Sequence, residues 1–345
     1  MKANYAGGVQ PLTSPSADAG LSDTFGRVAT DLRVSLTDRC NLRCNYCMPA
    51  EGLEWLPDDD VLSDDEVIRL IRIAVELLGV SEVRFTGGEP LVRRGLIPIV
   101  AATHALGVQT ALTTNALGLA RTADALAAAG LDRINVSLDS IRPESFAAIT
   151  RRDRLGDVVS GLEAADRAGL GPIKLNAVLL HGINDDQAPE LLRWAVDRGY
   201  ELRFIEQMPL DAQHGWSREQ MVTAEEILAS LSTEFTLTAA SEPRGSAPAE
   251  LFTVDGGPAT VGVIASVTRP FCGDCDRVRL TADGQIRNCL FAREESDLRG
   301  LLRADGSDTE IADRWRKAMW TKRAGHGIDD LTFIQPDRPM SAIGG

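Results

Sequence analysis

Runs of β-branched and apolar residues alternate with amphipathic stretches between Asp31 and Met208. The runs that we predict to be strands are Leu32–Thr37, Glu82–Thr86, Gln109–Thr114, Arg133–Asp139, Ile173–Leu179 and Glu201–Gln207. Strands that alternate with helices are typical of a parallel sheet, because each parallel connection needs a crossover. Six repeats predict an α/β fold with an open or partial (β/α)6 TIM-type barrel, although a flat doubly wound sheet also fits the pattern.

The clearest helix pattern covers residues Asp64–Leu78. Ser63 and Glu66 have the spacing of a capping box, in which each residue binds the backbone of the other. Apolar residues then recur three and four positions apart, which places them on one face of a helix. Gly79 follows, where a left-handed C-cap favours glycine. The pattern therefore predicts a helix with one face packed on the sheet.

Polar residues cluster where the predicted strands end. The clusters are Thr86-Gly87-Gly88-Glu89-Pro90, Thr113-Thr114-Asn115, Ser137-Leu138-Asp139, Lys174 with Asn176, and Arg203–Met208. Any one of them could be an ordinary turn with helix-capping residues. Because the carboxyl ends of parallel barrel strands meet at one face, and that face carries the active site, the five together predict a site there.

The alternation ends after Pro209, and the chain becomes more irregular. Beyond it we predict a helix over Ala224–Leu231, a loop over Ser241–Pro248, strands over Leu251–Val254 and Thr260–Val267, a hairpin turn at Asp283-Gly284 and a helix over Asp308–Trp320. The first 25 residues are polar and lack an apolar signal segment, which is typical of disorder. We therefore predict a disordered tail over 1–25, a partial barrel over 26–240 and a smaller α+β domain over 241–345.

Charge and composition limit the classes of partner. The 345 residues include 36 basic and 50 acidic ones, for a net charge of −14. This balance argues against nucleic-acid binding, which needs a basic field. One uncharged stretch, between Arg94 and Arg121, is long enough to span a bilayer but too polar for a lipid-facing helix. We expect a cytoplasmic protein with no nucleic-acid or membrane partner.

The six cysteines form two groups of three. The first group is Cys40, Cys44 and Cys47, and the second is Cys272, Cys275 and Cys289. Three thiolates can bind three irons of a [4Fe–4S] cluster and leave the fourth iron open to a small molecule. A structural zinc site needs four ligands, and His326 is a candidate fourth ligand for the second group. We predict two [4Fe–4S] clusters, with zinc or ordinary buried thiols as the alternatives.

Several basic residues occur where a charge would be buried. Arg277 and Arg279 lie among the cysteines of the second group and point the same way if their segment is extended. Arg33, Arg84 and Lys174 lie on or beside predicted strands, where an unpaired cation is costly. Guanidinium groups are suited to phosphate chains. The pattern predicts a polyanionic substrate, with ordinary ion pairs to nearby acidic residues as the alternative.

Two motifs together carry a resemblance to a known superfamily. The Cys40-x3-Cys44-x2-Cys47 spacing, with Tyr46 before the last cysteine, is followed by Gly87-Gly88-Glu89-Pro90. This combination resembles the radical S-adenosylmethionine (SAM) superfamily. The resemblance implies that the first cluster binds SAM through its open iron. It also implies that Tyr46, Gly88, Ser137 and Met208 contact SAM.

Further segments narrow the resemblance to the GTP 3′,8-cyclase family of molybdenum cofactor biosynthesis. They are Asp31–Cys40, Arg84–Leu91, Arg133–Asp139, Gly182–Asp186, Arg203–Met208, Phe271–Leu280 and the terminal Gly344-Gly345. The resemblance implies that a 5′-deoxyadenosyl radical takes a hydrogen atom from C3′ of GTP. The ribose then closes onto C8 of guanine, which gives 3′,8-cyclo-7,8-dihydro-GTP.

The same resemblance implies roles for individual residues. The second cluster is expected to bind the guanine base through its open iron. The residues expected to contact GTP are Arg33, Arg84, Thr113, Lys174, Arg277, Val278 and Arg279. The residues expected to act in catalysis are Arg33, Arg277, Arg279, Gly344 and Gly345. The two glycines would reach the active site as a tail, and a frayed chain end is the alternative.

The implied partners are GTP, a downstream cyclic pyranopterin monophosphate synthase and an electron donor such as flavodoxin or ferredoxin. A homodimer is also compatible with the sequence. Two other functions fit part of the pattern. A radical SAM enzyme that modifies peptides would lack the paired arginines after the second Cys-x2-Cys and usually carries more cysteines there. A zinc-binding module without enzymatic activity would hold zinc and no iron.

Overall fold

One twelve-stranded sheet organises the protein in a computed structural model that describes residues 20–344. The strands are β1 (Asp31–Ser35), β2 (Glu82–Thr86), β3 (Gln109–Thr114), β4 (Arg133–Ser137), β5 (Lys174–Val178), β6 (Glu201–Ile205), β7 (Leu237–Ala239), β8 (Glu250–Val254), β9 (Thr260–Ile264), β10 (Arg277–Leu280), β11 (Gln285–Arg287) and β12 (Ser296–Asp297). Their order across the sheet is β12-β11-β10-β1-β2-β3-β4-β5-β6-β9-β8-β7. All six strands predicted before Met208 are confirmed.

Helices connect the parallel strands and continue through the C-terminal region. They are α1 (Asp64–Leu78), α2 (Leu96–His104), α3 (Ala123–Ala128), α4 (Pro143–Thr150), α5 (Leu155–Arg167), α6 (Ala188–Val196), α7 (Ala224–Leu231), α8 (Arg299–Arg303), α9 (Asp308–Trp320) and α10 (Met340–Ile343). The predicted helices over 64–78, 224–231 and 308–320 match α1, α7 and α9. At the start of α1, Ser63 N donates to Glu66 Oε2 (2.7 Å) and Glu66 N donates to Ser63 Oγ (3.2 Å). The predicted capping box is therefore present.

The centre of the sheet is parallel and its two ends are antiparallel. Strands β1–β6 pair in sequence order, as six strand–helix repeats predict. β10 adds in parallel to β1, and β9 adds in parallel to β6. Within the described chain no pairing joins β12 to β7, so the sheet is not closed. Because β1, β4, β6 and β10 all line one cavity, the sheet is curved, and the partial barrel is confirmed over the flat alternative.

The C-terminal region thus extends the barrel at both edges. The register places Arg33 beside Arg279 across β1 and β10, and Arg203 beside Gly262 across β6 and β9. The sequence predicted the β9 run but not its partner, because the pairing joins segments far apart in the chain. The boundary near residue 240 stays a prediction.

Alternate strand residues separate the core from the interior of the barrel. On β1, Leu32 and Val34 are fully buried against the helices, and Val83 and Phe85 do the same on β2. Successive side chains of a strand point to opposite faces, so the residues between them face inward. This alternation is what makes the inner face available for polar residues.

The N-terminal segment begins to be ordered earlier than predicted. Leu21 is fully buried, and its carbonyl oxygen accepts from Ala29 N at 2.9 Å. Asp23 is also buried and pairs with Arg27. The predicted disordered tail is therefore wrong for residues 20–25, because one apolar side chain and one buried ion pair hold them to the fold. The rest of the predicted tail, residues 1–19, lies outside the described residues.

The uncharged stretch between Arg94 and Arg121 contains α2, a turn at Gly107 and β3, as its polarity predicted. Gly107 has φ 76°, a left-handed conformation that favours glycine. Across residues 20–344 no helix has both the length and the apolar character needed to cross a membrane.

Glu206 joins three elements at the carboxyl end of β6. Its side chain is fully buried and accepts from Ala224 N (2.8 Å) at the start of α7. It also accepts from Val267 N (2.8 Å) and Thr268 N (2.9 Å), which follow β9. One carboxylate therefore ties the barrel to the first elements of the C-terminal region.

We expect Glu206→Ala to lower the free energy of unfolding by about 1–3 kcal/mol for each backbone N–H that it leaves buried and unpaired. The matched control is Glu225→Ala, since Glu225 is exposed in the first turn of α7 and should change stability by less than about 1 kcal/mol. Anaerobic urea unfolding followed by circular dichroism measures both. Equal losses for the two variants would contradict the role given to Glu206.

Candidate active site

A cavity of about 680 Å³ lies inside the curved sheet. Its strand residues include Asp31, Arg33, Glu82, Arg84, Thr113, Arg133, Asn135, Ser137, Lys174, Asn176, Val178, Arg203, Ile205, Ile264, Arg277 and Arg279. Most of these positions are two residues apart on their strands, which is why they share the inner face. The predicted extended conformation of Arg277–Arg279 is confirmed, and both arginines face the cavity.

The glycine motif after β2 packs directly on the loop after β1. Gly88 N donates to Thr37 O (2.7 Å), and Glu89 N donates to Arg39 O (2.8 Å). A Cβ on Gly87 would overlap the Thr37 carbonyl, and one on Gly88 would overlap the Arg39 carbonyl. Glycine is therefore required at both positions by backbone contact, and this contact fixes the loop that carries the first cysteines.

Glu89 fastens the same motif to the end of β3. It is buried, and its carboxylate accepts from Thr114 Oγ1 and from Asn115 N, each at 2.7 Å. Burial raises the pKa of Glu89 to about 7, although these hydrogen bonds oppose the shift. These hydrogen bonds thus connect the polar residues that follow β2 with those at the end of β3.

Tyr46 reaches the cavity from the first cysteine loop. Its hydroxyl donates to Asp139 Oδ2 at 2.9 Å, and Asp139 Oδ1 accepts from Val178 N at 2.8 Å. Burial raises the pKa of Asp139 to about 6. The aromatic ring is therefore held by a carboxylate at the end of β4, close to Ser137 and Met208 in the same cavity wall.

The three thiols of the first group lie in one another's electrostatic reach. Burial, and then Asp139 and the Cys47 and Cys40 thiols, raise the pKa of Cys44 well above its usual range. Burial also raises the pKa of Cys40 to about 11 and that of Cys47 to about 12. Three thiolates in this loop need a bound cation to offset their charge, and the metal ions of a cluster would supply that positive charge.

In the second group Cys275 has the opposite surroundings, whereas burial raises the pKa of Cys272. Burial opposes ionisation of Cys275, but the positive charges of Arg277 and Lys322 lower its pKa to about 7. Lys322 Nζ lies 3.4 Å from Cys275 Sγ. All three cysteines of this group line the cavity, so a ligand in the cavity would contact whatever metal they hold.

Zinc fits the second group less well than a cluster. His326, the candidate fourth ligand, uses both ring nitrogens, because Nε2 bonds Ser266 O (3.1 Å) and Nδ1 accepts from Ile328 N (3.1 Å). Over residues 20–344 no three histidine, cysteine or acidic side chains converge as ligands of a single metal ion. In a [4Fe–4S] cube each cysteine binds a different iron, so the thiols need not converge on one ion.

Positive charge dominates the cavity. Nine basic and four acidic side chains line it. Ion pairs such as Arg84–Glu82 (2.7 Å) and Lys174–Glu201 (3.1 Å) neutralise part of this charge. Arg84 Nε and Nη1 and Arg279 Nη1 remain buried without a hydrogen-bond partner. Ordinary ion pairs therefore account for only part of the basic residues, and the unpaired donors are available to an anion.

Burial also shifts the ionisation of these arginines. It lowers the pKa of Arg279 to about 9 and that of Arg33 to about 10, and neighbouring arginines add to both shifts. Asp31, 3.8 Å from Arg33 Nε, opposes the shift of Arg33 without cancelling it, and Arg279 forms no ion pair with a carboxylate in the described residues. A phosphate chain in the cavity would supply the missing negative charge.

Most of the predicted site residues meet in this cavity. Those that line it are Arg33, Tyr46, Arg84, Thr113, Ser137, Lys174, Met208, Cys272, Cys275, Arg277, Arg279 and Cys289. Gly88 lies in the loop behind it. Val278 does not line it, because its side chain is fully buried in the apolar core on the other face of β10. Gly345 lies outside the described residues.

Sequence reasoning gave no individual role to several residues that line the cavity, although Asn176 and Arg203 belong to the predicted strand-end clusters. Arg133, Asn135, Asn176, Arg203 and Arg244 belong to this set. The sequence pattern that could have identified the strand residues of this set was present, because polar residues recur at every second position of otherwise apolar strands. Arg244 lies in the loop before β8, where no strand periodicity could have indicated it. Its guanidinium lies 4.5 Å from the ring centroid of Phe271.

Comparison with known proteins assigns the family. The model of the radical SAM superfamily matches residues 34–195, and that of Molybdenum Cofactor Synthesis C matches residues 200–328. A GTP 3′,8-cyclase of Streptomyces coelicolor is 69% identical over 94% of this chain and 96% of its own length. A GTP 3′,8-cyclase of Mycobacterium sp. strain KMS is 64% identical over 98% of both chains. The chain belongs to the GTP 3′,8-cyclase family.

The predicted radical SAM enzyme is thereby confirmed, and the zinc-binding module is excluded. The superfamily implies a [4Fe–4S] cluster and SAM as cofactors, as predicted. The structure of Streptococcus suis SuiB bound to SAM has a TM-score of 0.57 and 14% identity, covering 83% of this chain and 68% of that one. At this identity the likeness shows the shared fold and says nothing of the substrate.

Two neighbouring arginines allow a test of the unpaired charge. Arg279 and Arg287 face each other across β10 and β11, and both are buried. Arg287 pairs with Glu295 at 2.5 Å, whereas no carboxylate in the described structure pairs with Arg279. We expect Arg279→Met to raise the unfolding free energy of the ligand-free protein by about 1 kcal/mol or more.

Arg287→Met is the control and should lower that free energy by about 1–3 kcal/mol, because it removes a paired group. Anaerobic thermal unfolding without nucleotide measures both variants. A loss of stability in Arg279→Met as large as that in Arg287→Met would show that Arg279 is compensated.

Proposed function

We propose that this member of the GTP 3′,8-cyclase family converts GTP to 3′,8-cyclo-7,8-dihydro-GTP in the cavity between the two cysteine groups. This reaction is the first step of molybdenum cofactor biosynthesis. The observation that carries the proposal is one cavity that combines unpaired arginines, the Tyr46 side of the first cysteine loop and the three cysteines of the second group. None of these features of the cavity calls for a peptide substrate.

The first cysteine group would hold the [4Fe–4S] cluster, and SAM bound to that cluster supplies the 5′-deoxyadenosyl radical that takes hydrogen from C3′ of GTP. Tyr46, Gly88, Ser137 and Met208 would hold SAM, with Tyr46 fixed by Asp139. The residues position the substrate beside SAM and exclude water and other hydrogen donors.

The basic side of the cavity would hold the triphosphate. Its candidate ligands are Arg33, Arg84, Arg133, Lys174, Arg203, Arg277 and Arg279. Arg84 offers two unpaired nitrogen atoms and Arg279 one. Thr113, on the inner face of β3, would contact the nucleoside, and Val278 could contribute only its backbone. An anion with several charges matches the excess of basic side chains.

The second group would hold a second [4Fe–4S] cluster that binds the guanine base at an open iron. Its cysteines line the cavity, and the engaged His326 is consistent with only three protein ligands. The base would then lie at the end of the cavity formed by the second cysteine group, with the ribose near SAM.

Anaerobic purification followed by iron and sulfide analysis tests the clusters, and GTP-dependent cleavage of SAM to 5′-deoxyadenosine tests the reaction. About eight irons per chain, together with the cyclised nucleotide, are expected from two four-iron clusters. Zinc in place of iron at the second group, or SAM cleavage that depends on a peptide and ignores GTP, would overturn the proposal.

The two cysteine groups should act independently. We expect Cys44→Ala to remove about half of the iron and to abolish SAM cleavage, because it breaks only the first group. Cys275→Ala should also remove about half of the iron but leave some uncoupled SAM cleavage without cyclised product. Iron analysis and product chromatography separate these outcomes. If Cys275→Ala still converts GTP normally, the second cluster has no role in substrate binding.

The C-terminal segment is held as far as Gly344, which lies beside the carboxyl ends of β1 and β2. Arg338 binds Asp283 through two hydrogen bonds of 2.9 and 2.7 Å, and Met340 N donates to Leu210 O at 2.9 Å. Gly344 has φ 72° and lies against Ser35 and Thr86, where a Cβ would overlap Ser35 Oγ. We propose that Gly344 and Gly345 reach the active site and act with Arg33, Arg277 and Arg279.

Gly344→Ala should therefore displace the tail, because the added Cβ meets Ser35 and the positive φ is unfavourable for alanine. We expect unchanged iron content and unfolding temperature but at least a tenfold loss of cyclised product. The control is Gly156→Ala on α5, where a Cβ meets no atom within 4 Å. Full cyclase activity in Gly344→Ala would show that the tail is only a chain end.

The remaining partners are also proposals. They are the downstream cyclic pyranopterin monophosphate synthase, an electron donor such as flavodoxin or ferredoxin, and a second copy in a homodimer. A cytoplasmic location is proposed with them, because low-potential clusters need a reduced environment.

A further inference from the structure

A buried lysine contacts the second cysteine group. Lys322 follows the end of α9, and only 3% of its surface is exposed. Its ammonium lies 2.9 Å from Arg277 O, 3.2 Å from Cys275 O and 3.4 Å from Cys275 Sγ. An ammonium group has three N–H donors, so this environment uses all of them and directs one at the cysteine sulfur.

No carboxylate in residues 20–344 forms an ion pair with Lys322, although buried ammonium groups normally need a negative partner. Two of its three acceptors are neutral carbonyls. The remaining acceptor, Cys275 Sγ, carries negative charge when it is a metal-bound thiolate. The lysine is therefore compensated only when Cys275 is ionised.

Arg27 fixes this arrangement from the other side. It is also buried, and it donates to Cys272 O (2.7 Å), Arg323 O (2.6 Å) and Ala324 O (3.0 Å). The segment that carries Lys322 is thus tied to the Cys272–Cys275 loop. The backbone that carries the lysine cannot move away from this loop without breaking these bonds.

The first cysteine group has no equivalent cation on sulfur. Two carboxylates are bound next to it instead, because Asp139 accepts from the Tyr46 hydroxyl and Glu89 accepts from Asn115 N. Arg43, in the same loop, donates to the Cys40 carbonyl at 2.6 Å and not to a sulfur. Asn115 Nδ2, which lies 3.9 Å from Cys40 Sγ, is a neutral donor. A cation that hydrogen-bonds a cluster sulfur stabilises the reduced cluster, and nearby anions destabilise it.

We propose that Lys322 is a positioning residue that holds Cys275 toward the second cluster and raises the reduction potential of that cluster above that of the first. The inference rests on the proposed second cluster and concerns how the chain tunes it. The two clusters of one enzyme would then differ in potential through their protein surroundings, although both have three cysteine ligands.

The test uses the full-length protein with Cys44→Ala, so that only the second cluster is observed. A mediated redox titration followed by electron paramagnetic resonance gives its midpoint potential. We expect Lys322→Met to lower the ratio of reduced to oxidised cluster at least tenfold at a fixed potential, which is about 59 mV for one electron. Lys322→Arg keeps the charge and should stay close to the parent value.

Lys317→Met is the matched control, because Lys317 is an exposed lysine on α9, five residues before Lys322. The cluster of this variant should titrate like that of the parent. An unchanged potential in a Lys322→Met protein that retains its iron would overturn the proposal. If Lys322→Met loses its iron, two further variants test the proposal. Lys322→Gln keeps a neutral donor, and Lys322→Arg keeps the charge.

The proposal is supported if Lys322→Arg retains the cluster while Lys322→Gln has a lower reduction potential or loses its iron. Iron loss in all three variants shows a packing role and refutes it. A parent Cys44→Ala protein without iron would instead refute the second cluster itself, so the two failures are distinguishable.

The relative order of the two clusters is a separate readout. The same titration on the Cys275→Ala protein gives the potential of the first cluster. We expect it to lie below that of the second, and the reverse order would contradict the electrostatic argument.

Discussion

The interior of the barrel contains more positive charge than its own carboxylates neutralise. Glu82 and Glu201 pair with Arg84 and Lys174, but the inner ends of Arg84 and Arg279 stay without partners. Water cannot replace these partners well in a buried site, so the lumen favours an anion of several charges. The curvature of the sheet, the loops over the cavity and the tail all surround this charge. Such unpaired buried charge is expected to cost the ligand-free protein stability at the place where it would bind its ligand.

The two cysteine groups use the same number of thiols in different electrostatic surroundings. The first group lies among carboxylates and depends on bound metal to offset its charge. The second lies beside Arg277 and Lys322, which favour the thiolate before any metal binds. The side of the cavity that would take the base is therefore also the side with the greater positive charge, and the barrel strands join both groups into one site.

Backbone contacts, and not only side chains, determine the geometry of the first site. Gly87 and Gly88 let the loop after β2 touch the loop after β1, and Glu89 binds the end of β3. Gly344 allows a similar close approach near Ser35. In each case a side chain would occupy space that the neighbouring strand or loop already fills.

The sequence by itself determined the six strand–helix repeats, the capped helix over Asp64–Leu78, the two cysteine groups and the family. These features depend on local periodicity and spacing, which neighbouring residues define. Only the tertiary structure decided that β9 and β10 complete the barrel, that Leu21 is part of the core, and that His326 is already hydrogen-bonded. It also placed Lys322 on Cys275. Contacts between segments tens or hundreds of residues apart depend on the packing of the whole chain, and no local pattern records them.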